Sequence, residues 1–81
     1  MARVLLFGQL ADIAGWRERR FEPTPPSLFA LRALVAALDP DLAIALARKG
    51  VTAAVEQVVV REDVPLAPNV EVAFMPPMSG G

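Results

Sequence analysis

The sequence predicts an α+β fold in which a mixed sheet of about five strands carries one main helix on one face. Apolar, strand-like runs lie near both ends of the chain, at residues 2–8 and 70–75. Between them, Ser27 precedes apolar residues at helical spacing, which is typical of a capped amphipathic helix. A chain of 81 residues, of which 54% are hydrophobic, makes one such domain. We assign the folded domain to residues 1–77 and a flexible C-terminal tail to 78–81.

The first quarter of the chain indicates two paired strands. Residues 2–8, ARVLLFG, form an apolar run with no polar face. The segment QLADIAG follows as a turn or a short helical piece, and Gly15 is its natural stop. Residues 17–22, RERRFE, carry mixed charge and predict an edge strand antiparallel to the first, because charges on an edge discourage aggregation.

The middle of the chain predicts two helices. Five apolar residues at helical spacing form the stripe that the first helix would bury: Leu28, Leu31, Leu34, Val35 and Leu38. Asp39 and Pro40 end this helix and start a shorter one, with Asp39 as its cap. Basic residues are expected in the last turn of the second helix, and Gly50 is expected to stop it.

The last third of the chain is predicted to be β structure. Residues 52–60, TAAVEQVVV, are rich in β-branched side chains, with a kink or turn near Glu56 and Gln57. Residues 70–75, VEVAFM, alternate in the manner of a half-buried strand. Three of their side chains would face the core, each gaining roughly 1.5–3 kcal/mol on burial: Val70, Val72 and Phe74.

This order of elements is that of the β-grasp, or ubiquitin-like, fold. Its helix covers one face of the sheet and leaves the other face open to water. Strand parity sends apolar side chains onto that open face: Leu5, Phe7, Ala73 and Met75, with Val59 added if the turn leaves it in phase. Apolar patches of this kind are typically partner sites, so we expect docking here. The alternatives are scattered surface hydrophobes, or a patch that the second helix covers.

The residue types that the chain lacks exclude most side-chain chemistry. It has no Cys, His or Tyr, so thiol nucleophiles, imidazole bases and phenolic acids are excluded, and a metal site would need carboxylates alone. It has no phosphate-binding loop for a nucleotide. Eight basic residues against nine acidic ones argue against a nucleic-acid partner. No signal peptide or membrane span is visible, so we expect a cytoplasmic protein that binds no cofactor or metal itself.

The C-terminal residues suit delivery of the chain end into another protein. Pro76 and Pro77 cannot donate to a sheet, so the last strand stops there and the tail leaves in a defined direction. The tail spans at most about 14 Å, and its glycines are slim enough for a narrow channel. The residues expected to thread are Pro76, Pro77, Met78, Ser79, Gly80 and Gly81. A terminal carboxylate reacts only after activation, most simply as an acyl-adenylate, so a partner would supply the ATP.

Three segments resemble the small subunits of molybdopterin synthase, a family of ubiquitin-like sulfur carriers: VLLFGQLADIAG, AAVEQ and EVAFMPPMSGG. The likeness covers the whole chain, and its most specific element is the F-x-P-P-x-x-G-G ending. It implies that an E1-like enzyme adenylates Gly81 and that a desulfurase or rhodanese-type donor supplies sulfur for a thiocarboxylate. It also implies that the tail then enters the large synthase subunit, which holds the catalytic side chains. There it gives sulfur to a cyclic pyranopterin precursor, and two transfers build the dithiolene. The implied assembly is a heterotetramer with two large subunits at its centre.

Other functions remain open at this point. Sulfur carriers of thiamine or amino-acid synthesis also end in Gly-Gly, and so do protein modifiers that are joined to lysines. A plain interaction module with an accidental Gly-Gly ending would keep its function without Gly81, unlike the other three. Departures from the family pattern at Glu56, at Met75 and at the Pro68-Asn69 turn do not touch the tail. We therefore expect them to alter partner affinity at most.

Overall fold

The structure is a computed structural model that describes residues 1–77. Within these residues the strands are β1 (Ala2–Leu6), β2 (Glu18–Phe21), β3 (Thr52–Val55), β4 (Val58–Val60) and β5 (Glu71–Met75). The helices are α1 (Gln9–Ala14), α2 (Leu28–Ala36) and α3 (Pro40–Leu46). The strands form one mixed sheet in the order β2-β1-β5-β3-β4, with β1 and β5 parallel at its centre and the other pairs antiparallel. This is the predicted β-grasp architecture, including the charged strand β2 at one edge.

The core lies between the sheet and the helices. The predicted alternation over residues 70–75 is confirmed, because Val70, just before β5, and Val72 and Phe74 within it are each at most 3% exposed. Val4 and Leu6 of β1 are buried beside them, as expected for neighbouring strands in register. The three helices add eight buried side chains to this cluster: Leu10, Ala11, Leu28, Leu31, Val35, Leu42, Ala45 and Leu46.

Local capping signals place both longer helices. The Ser27 hydroxyl accepts a hydrogen bond from the Ala30 amide at 3.2 Å, as predicted for the cap of α2. The Asp39 carboxylate accepts one from the Asp41 amide at 2.8 Å at the start of α3. Each bond satisfies an amide that has no partner within its own helix.

The prediction for the apolar stripe of α2 was wrong at two positions. Leu34 and Leu38 are 48% and 43% exposed. Leu38 lies beyond the end of α2, so helical spacing no longer determines which way its side chain points. Helix α2 buries about one residue per turn, and α3 covers the adjoining part of the core through its own apolar residues. Helix α3, the second of the two helices predicted from the sequence, therefore packs on the core side and does not cover the open face.

The basic residues near α3 also differ from expectation. The helix ends at Leu46, and Arg48 and Lys49 follow it. The carbonyl of Leu46 is instead satisfied from the neighbouring helix, because an Nη of Arg32 donates to it at 2.8 Å. A side chain of α2 thus performs the role expected of the last turn of α3.

The chain between β3 and β4 makes a two-residue turn. Glu56 and Gln57 both have positive φ, at 50° and 68°, which is the pattern of a type I′ hairpin. Val55 pairs with Val58, so no residue is skipped and Val59 falls opposite Ala54. The turn is also tied to β5, because the Glu56 carboxylate accepts a hydrogen bond from the Glu71 amide at 2.5 Å.

None of the helices formed by residues 1–77 is both long enough and apolar enough to cross a bilayer.

Candidate functional site

The open face of the sheet carries a continuous apolar row. Leu5 of β1 pairs with Ala73 of β5, and Ala73 pairs in turn with Ala54 of β3. Ala54 pairs with Val59 of β4. Because residues paired across strands lie on the same face, these four side chains form one row across the sheet.

A second row lies one step closer to the C-terminus of β5. Met75 pairs with Thr52 on one side. On the other side Phe7 continues β1 beside β5, with its amide donating to the Phe74 carbonyl at 3.2 Å. We call the two rows together the open-face patch: Leu5, Phe7, Thr52, Ala54, Val59, Ala73 and Met75.

Side chains of different size shape this patch. Phe7 and Val59 are 48% and 51% exposed, and Leu5 and Met75 are half-buried. Ala54 and Ala73 lie almost buried between these larger neighbours. The result is a shallow apolar surface with a floor of alanines between larger side chains.

Sequence reasoning identified Leu5, Phe7, Met75 and Val59, and the register brings all four onto this face. Their role in binding a partner stays a prediction. Thr52 and Ala54 were missed. Parity along β3 assigns them to this face only after the pairing of β3 with β5 is known, so no local signal could have found them.

Charged side chains close the patch at its far end. An Nη of Arg3 donates to Glu71 at 2.6 Å, and the Nε of Arg3 lies 3.9 Å from a carboxylate oxygen of Glu18. Such partly exposed pairs contribute only about 0–1 kcal/mol to stability. Because of these pairs the open-face patch has two different ends: an apolar end beside Phe7 and a charged end beside Arg3.

The tail leaves from the apolar end. Strand β5 occupies the middle of the sheet and stops at Met75, and the half-buried Pro76 and Pro77 follow it. The other residues predicted to thread lie outside the described residues: Met78, Ser79, Gly80 and Gly81. The base of the tail is therefore adjacent to Phe7 and Met75.

Two cavities flank these features. A cleft of about 340 Å³ beside the open-face patch is lined in part by Phe7, Gly8 and Arg17. A cavity of about 220 Å³ on the helix side includes Phe29 and Arg61 in its lining. Across residues 1–77, His, Cys, Asp and Glu side chains form no group of three or more that could hold a metal ion. The arrangement can bind a protein surface and present a chain end.

Comparison with known proteins assigns the chain to a family. The sequence pattern described as the ThiS family matches residues 4–81. The chain is 38% identical to the molybdopterin synthase sulfur carrier subunit of Escherichia coli (strain K12), over 81 residues that make up 100% of both proteins.

Solved structures agree on the fold. Two crystal structures of small archaeal modifier protein 1 from Haloferax volcanii superpose with TM-scores of 0.82 and 0.83, at 18% and 21% identity. The first match covers 95% of this chain and 97% of that protein, and the second covers 99% and 98%. At this level of identity the likeness concerns the β-grasp fold alone. Given the match of the family pattern and the full-length relative, the chain belongs to the ThiS family.

Proposed function

We propose that this chain is the sulfur carrier subunit of a molybdopterin synthase. The observation that carries the proposal is its 38% identity, over the full length of both chains, to the Escherichia coli subunit of that name. The geometry supports it, because an apolar docking surface and the base of the Gly-Gly tail lie at the same end of the sheet. A partner that covers the patch is thereby positioned to receive the tail.

The reactive atom is the terminal carboxylate of Gly81. An E1-like enzyme attaches it to the α-phosphate of ATP, which releases pyrophosphate and leaves an acyl-adenylate. The outer sulfur of a persulfide on a desulfurase or rhodanese-type donor then attacks the acyl carbon and displaces AMP. A thiol reductant cleaves the resulting S–S bond, which frees the donor and leaves a thiocarboxylate. This chain has no Cys, His or Tyr to catalyse either step, so in this proposal the enzymes that dock on it perform the chemistry.

The thiocarboxylate then enters the large subunit of the synthase. There it gives sulfur to a cyclic pyranopterin precursor and returns to the carboxylate form. The large subunit holds the catalytic side chains, and two large subunits form the centre of the assembly. Within this scheme the small chain contributes two things: the open-face patch that holds it in place and the tail that reaches the reaction.

The activating enzyme and the large subunit use the same surface. Both must receive the tail, and the tail starts at the apolar end of the patch. Binding of one therefore excludes the other. A carrier that exchanges between them needs moderate affinity for each, which suits a small patch bounded by weak charge pairs.

The direct test is thiol alkylation followed by measurement of the intact mass. The protein is incubated with ATP, the activating enzyme and a sulfur donor, and then with an alkylating reagent. The chain has no Cys, so an alkylated thiol must be a thiocarboxylate, and we expect one label that maps to Gly81. A variant lacking Gly81 is the control and should take none. No label on the wild-type chain, in a mixture that activates a second carrier, would overturn the proposal.

A second measurement identifies the pathway. The thiocarboxylated chain is mixed with the large synthase subunit and the cyclic pyranopterin precursor. We expect the dithiolene product to form and the carrier to return to its carboxylate form. A chain that takes sulfur but forms product only with thiamine or amino-acid enzymes would be a carrier of another pathway. Covalent conjugates to lysine in extracts, without sulfur transfer, would instead identify a protein modifier.

A further inference from the structure

Two glycines contact the prolines at the base of the tail. A Cβ atom built on Gly8 would lie 2.9 Å from Cγ of Pro76. A Cβ atom built on Gly50 would lie 3.0 Å from Cβ of Pro77 and 3.6 Å from its Cα. Real Cβ atoms are essentially never found closer than 3.0 Å to another heavy atom, so Pro76 occupies space that only a glycine at position 8 leaves free. The approach to Gly50 is tighter than nine in ten real Cβ contacts, so Pro77 would have to shift by a few tenths of an ångström to admit a side chain there.

The topology of the sheet explains why both glycines lie there. Strand β5 runs between β1 and β3. Because β1 is parallel to β5, the residues after β1 lie at the end where β5 finishes. Because β3 is antiparallel to β5, the residues before β3 lie at that end too. Gly8 and Gly50 belong to these two segments, so they approach the tail from opposite sides.

Backbone conformation reinforces the requirement for glycine. Gly8 has φ 55° and ψ −133°, a combination that side chains strongly disfavour. Gly50 has φ 94°, also in the region that favours glycine. Hydrogen bonds anchor the segments around both glycines: the Gly8 carbonyl accepts from the Ala11 and Asp12 amides, and beside Gly50 the Val51 amide donates to the Arg48 carbonyl at 3.3 Å. Both glycines thus belong to the folded body and not to the tail.

We propose that Gly8 and Gly50 are positioning residues for sulfur transfer: they seat Pro76 and Pro77 and thereby determine the direction in which the tail leaves the domain. This inference rests on the proposed function and deepens it. We call the four residues the proline seat. Neither glycine touches the reacting atoms, and each acts through the proline against it.

A small shift at the base of the tail is amplified at its end. The four residues beyond Pro77 span up to about 14 Å, so a rotation of about 5° at the proline pair displaces the terminal carboxylate by roughly 1 Å. Misplacement of a reacting group by about 1 Å can slow a reaction about 100-fold. Bending of the tail inside a partner's channel would correct part of the misplacement. We therefore expect the transfer rate to fall at least about 10-fold.

Gly50→Ala is the main test, with Gly15→Ala as its matched control. Gly15 also has positive φ, at 82°, but a Cβ built on it meets nothing within 4 Å. The control therefore carries comparable backbone strain without a clash against the tail. With thiocarboxylated carriers preassembled on the large subunit, we expect Gly50→Ala to lower the single-turnover transfer rate at least 10-fold. Affinity for the large subunit and thermal stability should change no more than in Gly15→Ala. Equal transfer rates in the two variants would overturn the proposal.

The Gly8 side of the seat needs a double-mutant cycle, because Gly8→Ala also strains an unusual backbone conformation. Pro76→Ala removes the ring atom that the new Cβ would meet. If the contact matters, Gly8→Ala slows transfer in the wild-type background and has little further effect in the Pro76→Ala background. Additive losses in the two backgrounds would mean that backbone strain alone is responsible, and would overturn the assignment of Gly8.

Nuclear Overhauser contacts separate failure of this inference from failure of the proposed function. We expect contacts between Hα of Gly8 and Hγ of Pro76, and between Hα of Gly50 and Hβ of Pro77, in the wild-type chain. If these contacts are present but the wild-type chain takes no sulfur, the proposed function fails and the seat remains. If the chain transfers sulfur but the contacts are absent, the proline seat is wrong and the proposed function is unaffected.

Discussion

Phe7 and Phe29 are the same residue type and are equally exposed, at 48% each, yet they lie on different surfaces. Phe7 follows β1 at the apolar end of the open-face patch, while Phe29 lies in the first turn of α2 on the helix side. Exposure alone therefore does not identify a binding residue. The neighbours of Phe7 favour it over Phe29 as the docking residue in our proposal, because Met75 and the proline seat lie beside it at the base of the tail.

This difference predicts a matched pair of variants. Phe7→Lys should weaken binding to the large subunit by about 2 kcal/mol, or about 30-fold in Kd, because it places a charge where the partner would bury an aromatic side chain. Phe29→Lys makes the same chemical change away from the patch and should leave Kd within about twofold. Isothermal titration calorimetry with the large subunit measures both. Equal effects of the two variants would remove the case for the open-face patch as the docking surface.

A second residue-scale prediction concerns the β3–β4 turn. Gln57 has φ 68° without being glycine or asparagine, which is uncommon and costs about 1–2 kcal/mol. Gln57→Gly should therefore raise the free energy of unfolding, by about 1 kcal/mol after the added entropy of the unfolded chain is subtracted. Arg19→Gly is the contrast, since this exposed position in strand β2 should lose stability. Urea titration compares them, and a destabilised Gln57→Gly variant would contradict the assignment of the turn.

At the scale of elements, β5 organises the molecule. It pairs with β1 and β3, contributes Val72 and Phe74 to the core, and delivers its last residue to the open-face patch. One strand thus couples folding to the placement of the tail. Helix α3 has a simpler role, because it shares the core with α2 and leaves the open face free for a partner.

The central position of β5 predicts a large effect on stability. Phe74→Ala should lower the free energy of unfolding by about 3–5 kcal/mol, because it leaves a cavity under α2. This is a large share of the roughly 5–15 kcal/mol that holds a small domain together. Val59→Ala on the exposed face should change it by less than about 0.5 kcal/mol. Urea unfolding followed by circular dichroism measures both, and a mild effect of Phe74→Ala would mean that β5 is not central to the core.

At the scale of the whole molecule, the body and the reactive end are separate. Every residue of the core cluster found among residues 1–77 lies between Ala2 and Phe74. In the proposed function the carboxylate that reacts belongs to Gly81, seven positions further along the chain. The body can therefore be optimised for docking while the tail is optimised for passage through a channel.

This separation predicts that folding and sulfur transfer respond to different substitutions. Gly81→Val should leave the melting temperature unchanged and abolish thiocarboxylate formation, because a branched side chain would lie on the Cα atom next to the reacting carboxylate carbon. Ser79→Ala keeps a small side chain in the tail and should accept sulfur normally. Differential scanning calorimetry and the alkylation assay test the two halves of the prediction. Normal labelling of Gly81→Val would show that the tail does not pass through a narrow channel.

Much of the fold could be predicted because it depends on local signals. The Ser27 and Asp39 caps rest on hydrogen bonds within a few residues, and the alternation of β5 is a period-two pattern. The composition of the tail was equally plain in the sequence. Together these determined the order of the elements and the β-grasp class, and they predicted that the chain end is a substrate for other proteins.

The remaining features depend on contacts between distant segments, which only the tertiary structure decided. Leu34 looked like a core residue by its spacing, but α3 already covers the neighbouring core. Val59 joined the open-face patch because a two-residue turn preserved its phase. The proline seat required β1 and β3 to flank β5, so that Gly8 and Gly50 could meet residues far away in sequence. Periodicity assigns a side chain to a face of its own element, and the packing of the elements decides what that face meets.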